Sequence, residues 1–292
     1  MPKRTNSIGR HLPTSGGLAR TLWAARDLGC ETIQIFLSNP QAWADPRRRQ
    51  DADTFVEGSR ELDISPVVAH AKYLINLAST SEEQRDLSVL ALTHELAAAG
   101  ALGVDLVVVH AGSHGGDGKE KGMERLVEGL GRARERAAEL DGAAGAVAEP
   151  VVENSVGAGT QLCSTFEDLG EVARRSGVRV CMDTAHAFVA GYDLSAEDGG
   201  RMVAEDLVEA VGEAVALVHL NDAKAELGSH RDGHRKVGEG CIPVDAWPGF
   251  FDALPGVPVV METPYGTPES DSEEVLLVKK LAGGLRKAPI GR

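Results

Sequence analysis

The chain has 292 residues, of which 42% are hydrophobic and 25% are charged, as in an ordinary globular protein. That length suits one large α/β barrel or two smaller domains. The sequence contains no apolar run long enough to span a membrane, and its first ten residues lack the apolar core of a secretion signal. The formal net charge of −14 argues against a protein that coats nucleic acid non-specifically.

The four cysteines are scattered and form no C-x-x-C pair, so a reduced, cytoplasmic protein is expected. The basic residues are unevenly placed, and many of them follow strand candidates. They are Arg47, Arg48, Arg49, Lys72, Lys119, Lys121, Lys224, Arg231, Arg235 and Lys236. Two interpretations stay open for them, either a basic rim on an acidic body or ordinary solvated loop charges.

Strand and helix candidates alternate along the whole chain. The strand candidates, short and rich in β-forming residues, are 7–11, 32–37, 64–70, 104–110, 147–153, 178–183, 214–220 and 257–262. The helix candidates, recognised by apolar periodicity and terminal signals, are 18–28, 51–62, 81–99, 119–140, 165–176, 204–211, 244–254 and 272–286. Gly29 is placed to end the first helix, and Ser81 followed by acidic residues to cap the third.

This alternation predicts a single (β/α)₈ TIM barrel over residues 1–286, followed by a basic tail at 287–292. The active site of such a barrel lies at the C-terminal ends of its strands. A doubly wound parallel sheet is the alternative. It is disfavoured because no G-x-G-x-x-G sequence follows the first strand candidate.

Besides the first, which ends at His11, six strand candidates carry a side chain that can bind metal at their last or next-to-last residue, and further such side chains follow closely. The stretch V-V-E-N-S-V-G, which contains Glu153 at the end of its apolar run, shows the pattern most clearly. The nine candidate ligands are His70, His110, Glu153, Asp183, His186, His219, Asp232, His234 and Glu262. A single histidine at a strand end is more often structural, and a single carboxylate often caps the following helix. Nine such residues at one barrel mouth indicate bound cations, because clustered buried carboxylates need neutralisation.

Mixed histidine and carboxylate ligands suit zinc, with manganese as the next candidate. The sequence D-T-A-H at Asp183–His186 and the sequence D-G-H at 232–234 each bring a carboxylate and an imidazole close together. Two or three adjacent metals favour hydrolysis of a phosphate ester over redox chemistry. Among the other histidines, three are interpreted as structural or solvated, and one stays open between mouth-lining and structural. The first three are His94, His114 and His230, and the fourth is His11.

Several longer sequences resemble one known family. They are I-G-R-H-L-P-T-S-G-G-L near the start, H-A-K-Y-L-I-N-L-A from His70, H-A-G-S-H from His110, V-E-N-S-V-G-A-G-T from Val152, C-M-D-T-A-H-A-F-V-A-G-Y-D from Cys181, H-L-N-D-A-K from His219, D-G-H-R-K-V-G-E-G from Asp232 and M-E-T-P from Met261. Together they resemble the endonuclease IV family of apurinic/apyrimidinic endonucleases, from about residue 7 to residue 284. The D-T-x-H-A-F-x-A-G-Y-D and H-L-N-D-x-K motifs are the most specific.

The resemblance implies a TIM barrel with three zinc ions that cleaves duplex DNA 5′ to an abasic site and leaves a 3′-hydroxyl. It assigns the ligands in three groups, of which the second shares a carboxylate with the first. These are His70, His110 and Glu153; then Glu153, Asp183, His219 and Glu262; and finally His186, Asp232 and His234. Glu153, as the bridging ligand, is the predicted catalytic residue, and a monomer is expected.

Three residues are expected to contact DNA. Tyr73 and Leu74 follow the strand that ends at His70, where an aromatic and an apolar side chain could fill a gap in the base stack. The alternative for both is that they cover the top of the barrel core. Gln41 stands where the family commonly has an arginine that enters the stack. A second departure is Arg10, where the family has a small residue. Both departures are assigned to the DNA-binding loops.

Two other functions remain open at this point. A xylose-isomerase-like sugar isomerase or epimerase would share the tetrad of Glu153, Asp183, His219 and Glu262 around one divalent metal. It would not need the other five candidate ligands, which therefore distinguish the two functions. A non-catalytic DNA-damage-binding relative is the other alternative, but structural zinc would not require three adjacent, solvent-open sites.

Overall fold

Eight parallel strands form a closed barrel in the computed structural model, which describes residues 5–46, 49–140 and 147–283. The barrel strands are β1 (Ile8–His11), β2 (Thr32–Phe36), β3 (Val67–His70), β4 (Leu106–His110), β5 (Glu149–Glu153), β6 (Arg179–Asp183), β7 (Val215–His219) and β10 (Val259–Met261). They pair in the order β1-β10-β7-β6-β5-β4-β3-β2. The predicted TIM barrel is therefore confirmed, while the predicted tail at 287–292 lies outside the described residues.

Helices surround the barrel and connect its strands. They are α1 (Leu18–Leu28), α2 (Ala52–Glu61), α3 (Glu82–Gly100), α4 (Lys119–Leu140), α5 (Phe166–Ser176), α6 (Thr184–Ala190), α7 (Gly199–Val211), α8 (Ala246–Ala253) and α9 (Pro268–Leu281). The predicted end signals act as expected. Gly29 ends α1 in the left-handed conformation, and the Ser81 hydroxyl accepts a hydrogen bond from the Gln84 N–H at the start of α3. Within the described residues, no helix has the length and apolar character to cross a membrane.

Successive side chains of each strand point alternately into the barrel and toward the helices, and this divides the apolar residues between two cores. One core fills the barrel and includes Val108 and Val151, whereas Val107 and Val109 belong to the larger core between the strands and the helices. Side chains two residues apart on a strand face the same side. The residue two positions after each inward-facing core residue therefore also faces inward. It lies at or just past the end of its strand, at the mouth of the barrel. These vertical pairs are Val68 with His70, Val108 with His110, Val151 with Glu153, Cys181 with Asp183, Leu217 with His219 and Val260 with Glu262.

The structure differs from the sequence prediction in two places that matter for the site. A short helix, α6, begins directly after β6, and the loop after β7 folds into a small antiparallel hairpin of β8 (Asp222–Ala223) and β9 (His234–Arg235).

Helix α7 also begins at Gly199, five residues before the predicted start at 204. The early start brings α7 against α8, where a Cβ on Gly200 would lie 1.9 Å from the Ala246 carbonyl oxygen. Only glycine permits that approach.

Candidate metal centre at the barrel mouth

The first group of candidate ligands lies around one oxygen of Glu153. Its Oε2 atom is 3.4 Å from His70 Nε2 and 3.3 Å from His110 Nδ1. The Nδ1 atom of His70 lies 2.7 Å from the Ala71 carbonyl oxygen, which can only accept a hydrogen bond. Nδ1 therefore carries the proton and Nε2 is left to face Glu153. Three possible metal-ligand atoms from three neighbouring strands thus lie close to one another.

The second group lies around the other oxygen of the same carboxylate. Glu153 Oε1 is 2.8 Å from His219 Nδ1, which is itself 3.2 Å from Glu262 Oε2. Asp183 completes this group, and all four ligand atoms lie within 4.8 Å of one another. Because Glu153 offers one oxygen to each group, it is placed to bridge two cations.

The third group lies at the outer edge of the mouth. Asp183, His186 and His234 have ligand atoms within 4.8 Å of one another, and His234 Nε2 is 3.5 Å from Asp183 Oδ2. The predicted ligand Asp232 stands beside this group, with its Oδ1 atom 3.3 Å from His186 Nε2 and 3.7 Å from His234 Nε2. Its side chain is 66% exposed, so it closes the group from the solvent side.

The charges of the site fit bound cations. Among the described side chains, Glu153 Oε2 and His234 Nε2 are buried without a hydrogen-bond partner, although each faces other candidate ligands. Burial alone would raise the pKa of Glu153, but the charges of His219 and His110 hold it well below its usual value. Without metal, protonated imidazoles balance the buried carboxylates. Because a metal ligand must be a neutral imidazole, cations would take over this role and release protons.

In the third group, at the outer edge of the mouth, the histidine and the carboxylates also shift one another's pKa values. Burial lowers the pKa of His186, but the neighbouring Asp183 and Asp232 carboxylates outweigh it and raise this pKa to about 10. The hydrogen bond from His186 in turn lowers the pKa of Asp232 to about 2. In the metal-free protein, His186 is therefore a cation over most of the pH range.

Two asparagines that the sequence analysis missed hold Asp183 in place. The Asp183 backbone N–H donates to Asn154 Oδ1 over 2.6 Å, and Asn221 Nδ2 donates to Asp183 Oδ2 over 2.6 Å. Asn221 Oδ1 also accepts a hydrogen bond from the Glu262 N–H over 2.7 Å. Each asparagine lies one or two residues after a candidate ligand, in E-N-S and H-L-N-D, and that proximity was the available signal. Such outer hydrogen bonds fix the orientation of metal ligands.

The histidine left open by the sequence lines the mouth. The ring of His11 packs against Phe36 with centroids 4.4 Å apart, and its Nδ1 atom is 3.8 Å from Glu262 Oε1. Burial lowers the pKa of His11 to about 4, so the ring is neutral near pH 7.

The remaining three histidines make structural contacts away from the ligand groups. His94 Nδ1 lies 2.8 Å from Asp45 Oδ1. His114 Nδ1 accepts hydrogen bonds from two backbone N–H groups of its own loop, and His230 Nδ1 lies 2.7 Å from the Val156 carbonyl oxygen.

The residues expected to contact DNA lie at or near the mouth, but they differ in exposure. Tyr73 is 53% exposed, and its ring lies 5.4 Å from the ring of His70 and 6.0 Å from that of His110. It lines a cavity of about 460 Å³ together with ligands of the first and third groups. Leu74 is half-buried, whereas Gln41 is exposed on the loop after β2.

Five of the ten residues of the predicted basic rim lie beside carboxylates that offset their charge. Lys72 is buried and lies 2.7 Å from Glu95 Oε1. Four others form ion pairs, namely Arg49 with Asp51, Lys119 with Asp168, Lys121 with Asp117 and Lys236 with Asp271. Three other residues of the predicted rim are exposed and form no ion pair with the described residues. They are Lys224, Arg231 and Arg235. Arg47 and Arg48 lie outside the described residues.

The placement of Arg10 in a DNA-binding loop is wrong. This residue lies on β1, is fully buried and faces helix α9, where its Nη1 atom is 3.1 Å from Asp271 and 3.7 Å from Glu274. Its Nη2 atom donates to the Thr263 carbonyl oxygen over 3.2 Å. Arg10 therefore joins the barrel to its last helix.

Comparisons with known proteins agree with the fold and with the endonuclease resemblance. Residues 22–283 match the family of xylose isomerase-like TIM barrels. The chain is 35% identical over 288 residues to a protein named "Probable endonuclease 4" from Methanoculleus marisnigri, covering 94% of this chain and 99% of the relative. The crystal structure of endonuclease IV from Thermus thermophilus is similar with a TM-score of 0.80 and 34% identity, covering 96% of this chain and 100% of that one.

A second type of enzyme shares the fold at greater distance. The crystal structure of a D-tagatose 3-epimerase-like protein superimposes with a TM-score of 0.71 at 18% identity, covering 95% of this chain and 99% of that one. That degree of similarity establishes a common barrel architecture and says nothing about the reaction.

Proposed function

Because the chain belongs to the endonuclease IV family of xylose isomerase-like TIM barrels, we propose that it is a metal-dependent DNA repair endonuclease. In this proposal it hydrolyses the phosphodiester bond 5′ to an abasic site in duplex DNA and leaves a 3′-hydroxyl. The observation that supports it most strongly is the convergence of nine candidate ligands in three adjoining groups at one mouth.

We assign the three groups to three zinc ions, with manganese as the alternative at one or more positions. The first is held by His70, His110 and Glu153. The second shares Glu153 and adds three ligands, which are Asp183, His219 and Glu262. The third is held by His186, Asp232 and His234, with Asp183 adjoining it.

The ions would activate water at neutral pH and stabilise charge on the attacking and leaving oxygens of the phosphate. Glu153 would hold two of these ions, because one of its oxygens faces the first group of candidate ligands and the other faces the second. Glu153 is therefore the residue on which we place the central catalytic role. The hydrogen bonds that Asp183 makes with Asn154 and Asn221 keep it aligned, so that few groups need to move when the phosphate binds.

The exposed ring of Tyr73 stands beside the first group of ligands, where it can cover the gap left by an abasic nucleotide. Leu74 adjoins it, and Gln41 lies on the neighbouring loop. A nucleotide acted upon within a duplex must leave the stack, at a cost of a few kcal/mol that inserted side chains offset. We therefore propose that these residues contact the damaged duplex.

The sugar isomerase or epimerase remains the alternative, and counting metal ions distinguishes it. Five candidate ligands outside the shared tetrad, which a single-metal enzyme would not need, lie in the same mouth. Elemental analysis of the purified protein should find about three ions per chain. His234→Ala should lower the count by one, because it affects only the third group. A count of one in the unaltered protein would support the isomerase and contradict the nuclease.

A further inference from the structure

A buried glutamine in the middle of a strand contacts two candidate ligands at once. Gln34 lies on β2, two residues before the strand ends, and is fully buried. Its side chain faces the barrel interior beneath the mouth. It was not among the candidate site residues because it does not stand at a strand end and cannot itself replace a histidine or a carboxylate as a strong zinc ligand.

The amide of Gln34 makes three polar contacts, and they determine its orientation. One oxygen of Glu262, Oε1, lies 2.5 Å from Gln34 Nε2. An ionised carboxylate can only accept hydrogen bonds, so the amide nitrogen must face it. The same nitrogen lies 3.0 Å from His11 Nδ1, while the amide oxygen lies 2.8 Å from His219 Nε2.

This orientation fixes which nitrogen of His219 is free to bind metal. Because the amide oxygen can only accept, His219 Nε2 must carry a hydrogen. In the neutral ring the lone pair is then on Nδ1, the atom that lies 2.8 Å from Glu153 Oε1 and 3.2 Å from Glu262 Oε2. The hydrogen bond from Gln34 Nε2 to Glu262 Oε1 likewise leaves the other oxygen, Oε2, to face His219 Nδ1.

We propose that Gln34 is a positioning residue for the second cation, setting the tautomer of His219 and the orientation of Glu262 through one amide. This inference rests on the proposed metal centre and adds a residue to it. A neutral amide suits the position because it both donates and accepts. A glutamate would repel Glu262, and a lysine or arginine could not accept from His219.

The test is metal affinity in Gln34→Met, which keeps the length of the side chain and removes both kinds of hydrogen bond. Loss of such an outer contact lowers metal affinity by about 10–100-fold. We expect that loss for one of the three ions in competition with a chelator. The matched control is Thr32→Val, which removes a side-chain hydrogen bond of another buried residue on the same strand, that of the Thr32 hydroxyl to the Pro66 carbonyl oxygen. It should leave all three affinities within about twofold.

Equal affinity in Gln34→Met and the unaltered protein would overturn the inference, as would an equal loss in Thr32→Val. If Gln34→Met does not fold, nitrogen NMR of the metal-loaded, unaltered protein decides. We expect His219 to be protonated at Nε2 and ligated through Nδ1, and the opposite tautomer would refute the role of Gln34. A protein that binds one ion would instead refute the proposed function, so the two failures are distinguishable.

Discussion

The exposed ring of Tyr73 gives the most direct test of how damage is recognised. The change is Tyr73→Ala. The ring is 53% exposed, and its buried side contacts the rings of Phe36, His70 and His110. Because no hydrogen bond or ion pair of the described residues involves the Tyr73 side chain, its removal should leave the ligand groups in place. We therefore expect a loss of DNA binding without a loss of metal.

The magnitude follows from the exposed area. An aromatic side chain offers about 200 Å² of surface, of which roughly half is free here. Covering about 100 Å² of apolar surface contributes about 2.5 kcal/mol, within the range of about 1–3 kcal/mol for stacking one base on an aromatic ring. The dissociation constant for abasic duplex should therefore rise by about 5- to 150-fold.

The assay is a titration of abasic and intact duplex with each variant, together with metal analysis of the same samples. The matched control is Trp23→Ala, since Trp23 is similarly exposed (59%) but lies on α1 and outside the mouth. That control should bind both duplexes as the unaltered protein does. If Tyr73→Ala also binds abasic duplex unchanged, the ring does not fill the gap and the assignment is wrong.

The remaining predictions concern charge, catalysis and stability. Gln41→Ala should weaken DNA binding less than Tyr73→Ala. Gln41→Arg should bind DNA more tightly than the unaltered protein, with the larger gain at low salt; a gain of equal size at low and high salt, or no gain, would refute a contact with DNA. Glu153→Gln should reduce incision by about three orders of magnitude or more, since several kcal/mol of charge stabilisation are at stake. His234→Ala should reduce incision less, and both variants are assayed in excess zinc; an active Glu153→Gln enzyme would exclude the bridging role. Arg10→Ala should lower the free energy of unfolding by about 3–5 kcal/mol, because it removes a buried cation and leaves the buried Glu274 carboxylate without its ion-pair partner among the described residues, and denaturant unfolding that shows no loss would contradict this.

The barrel and the convergence of its candidate ligands were predictable from the sequence because both follow from local patterns. Short apolar strands alternate with helices, and each inward-facing core residue such as Val108 predicts the direction of the residue two places on, His110. Helix α6 was not predicted because Asp183 ends β6 and caps the helix at once, leaving no turn between them. The hairpin of β8 and β9 has strands of two residues, too short for a periodic signal.

Contacts between distant parts of the chain account for the other errors. Nothing local shows that Lys236 is paired with Asp271, or that Lys72 is buried against Glu95, so the sequence could not show that these charges are offset. The same holds for Arg10, whose carboxylate partners lie near the opposite end of the chain. Gln34 was missed because its contacts are with candidate ligands at the ends of two other strands, far away in the sequence.

The central proposal is cleavage at abasic sites, and the most direct measurement is incision of a duplex carrying one abasic analogue. The metal-loaded protein should cut one strand once, immediately 5′ to the analogue, and the product should be extendable by a polymerase from its 3′-hydroxyl. Chelation should abolish the cut, and re-addition of zinc should restore it. Failure of the zinc-loaded protein to cut the abasic duplex, or equal cutting of intact duplex, would contradict the proposal.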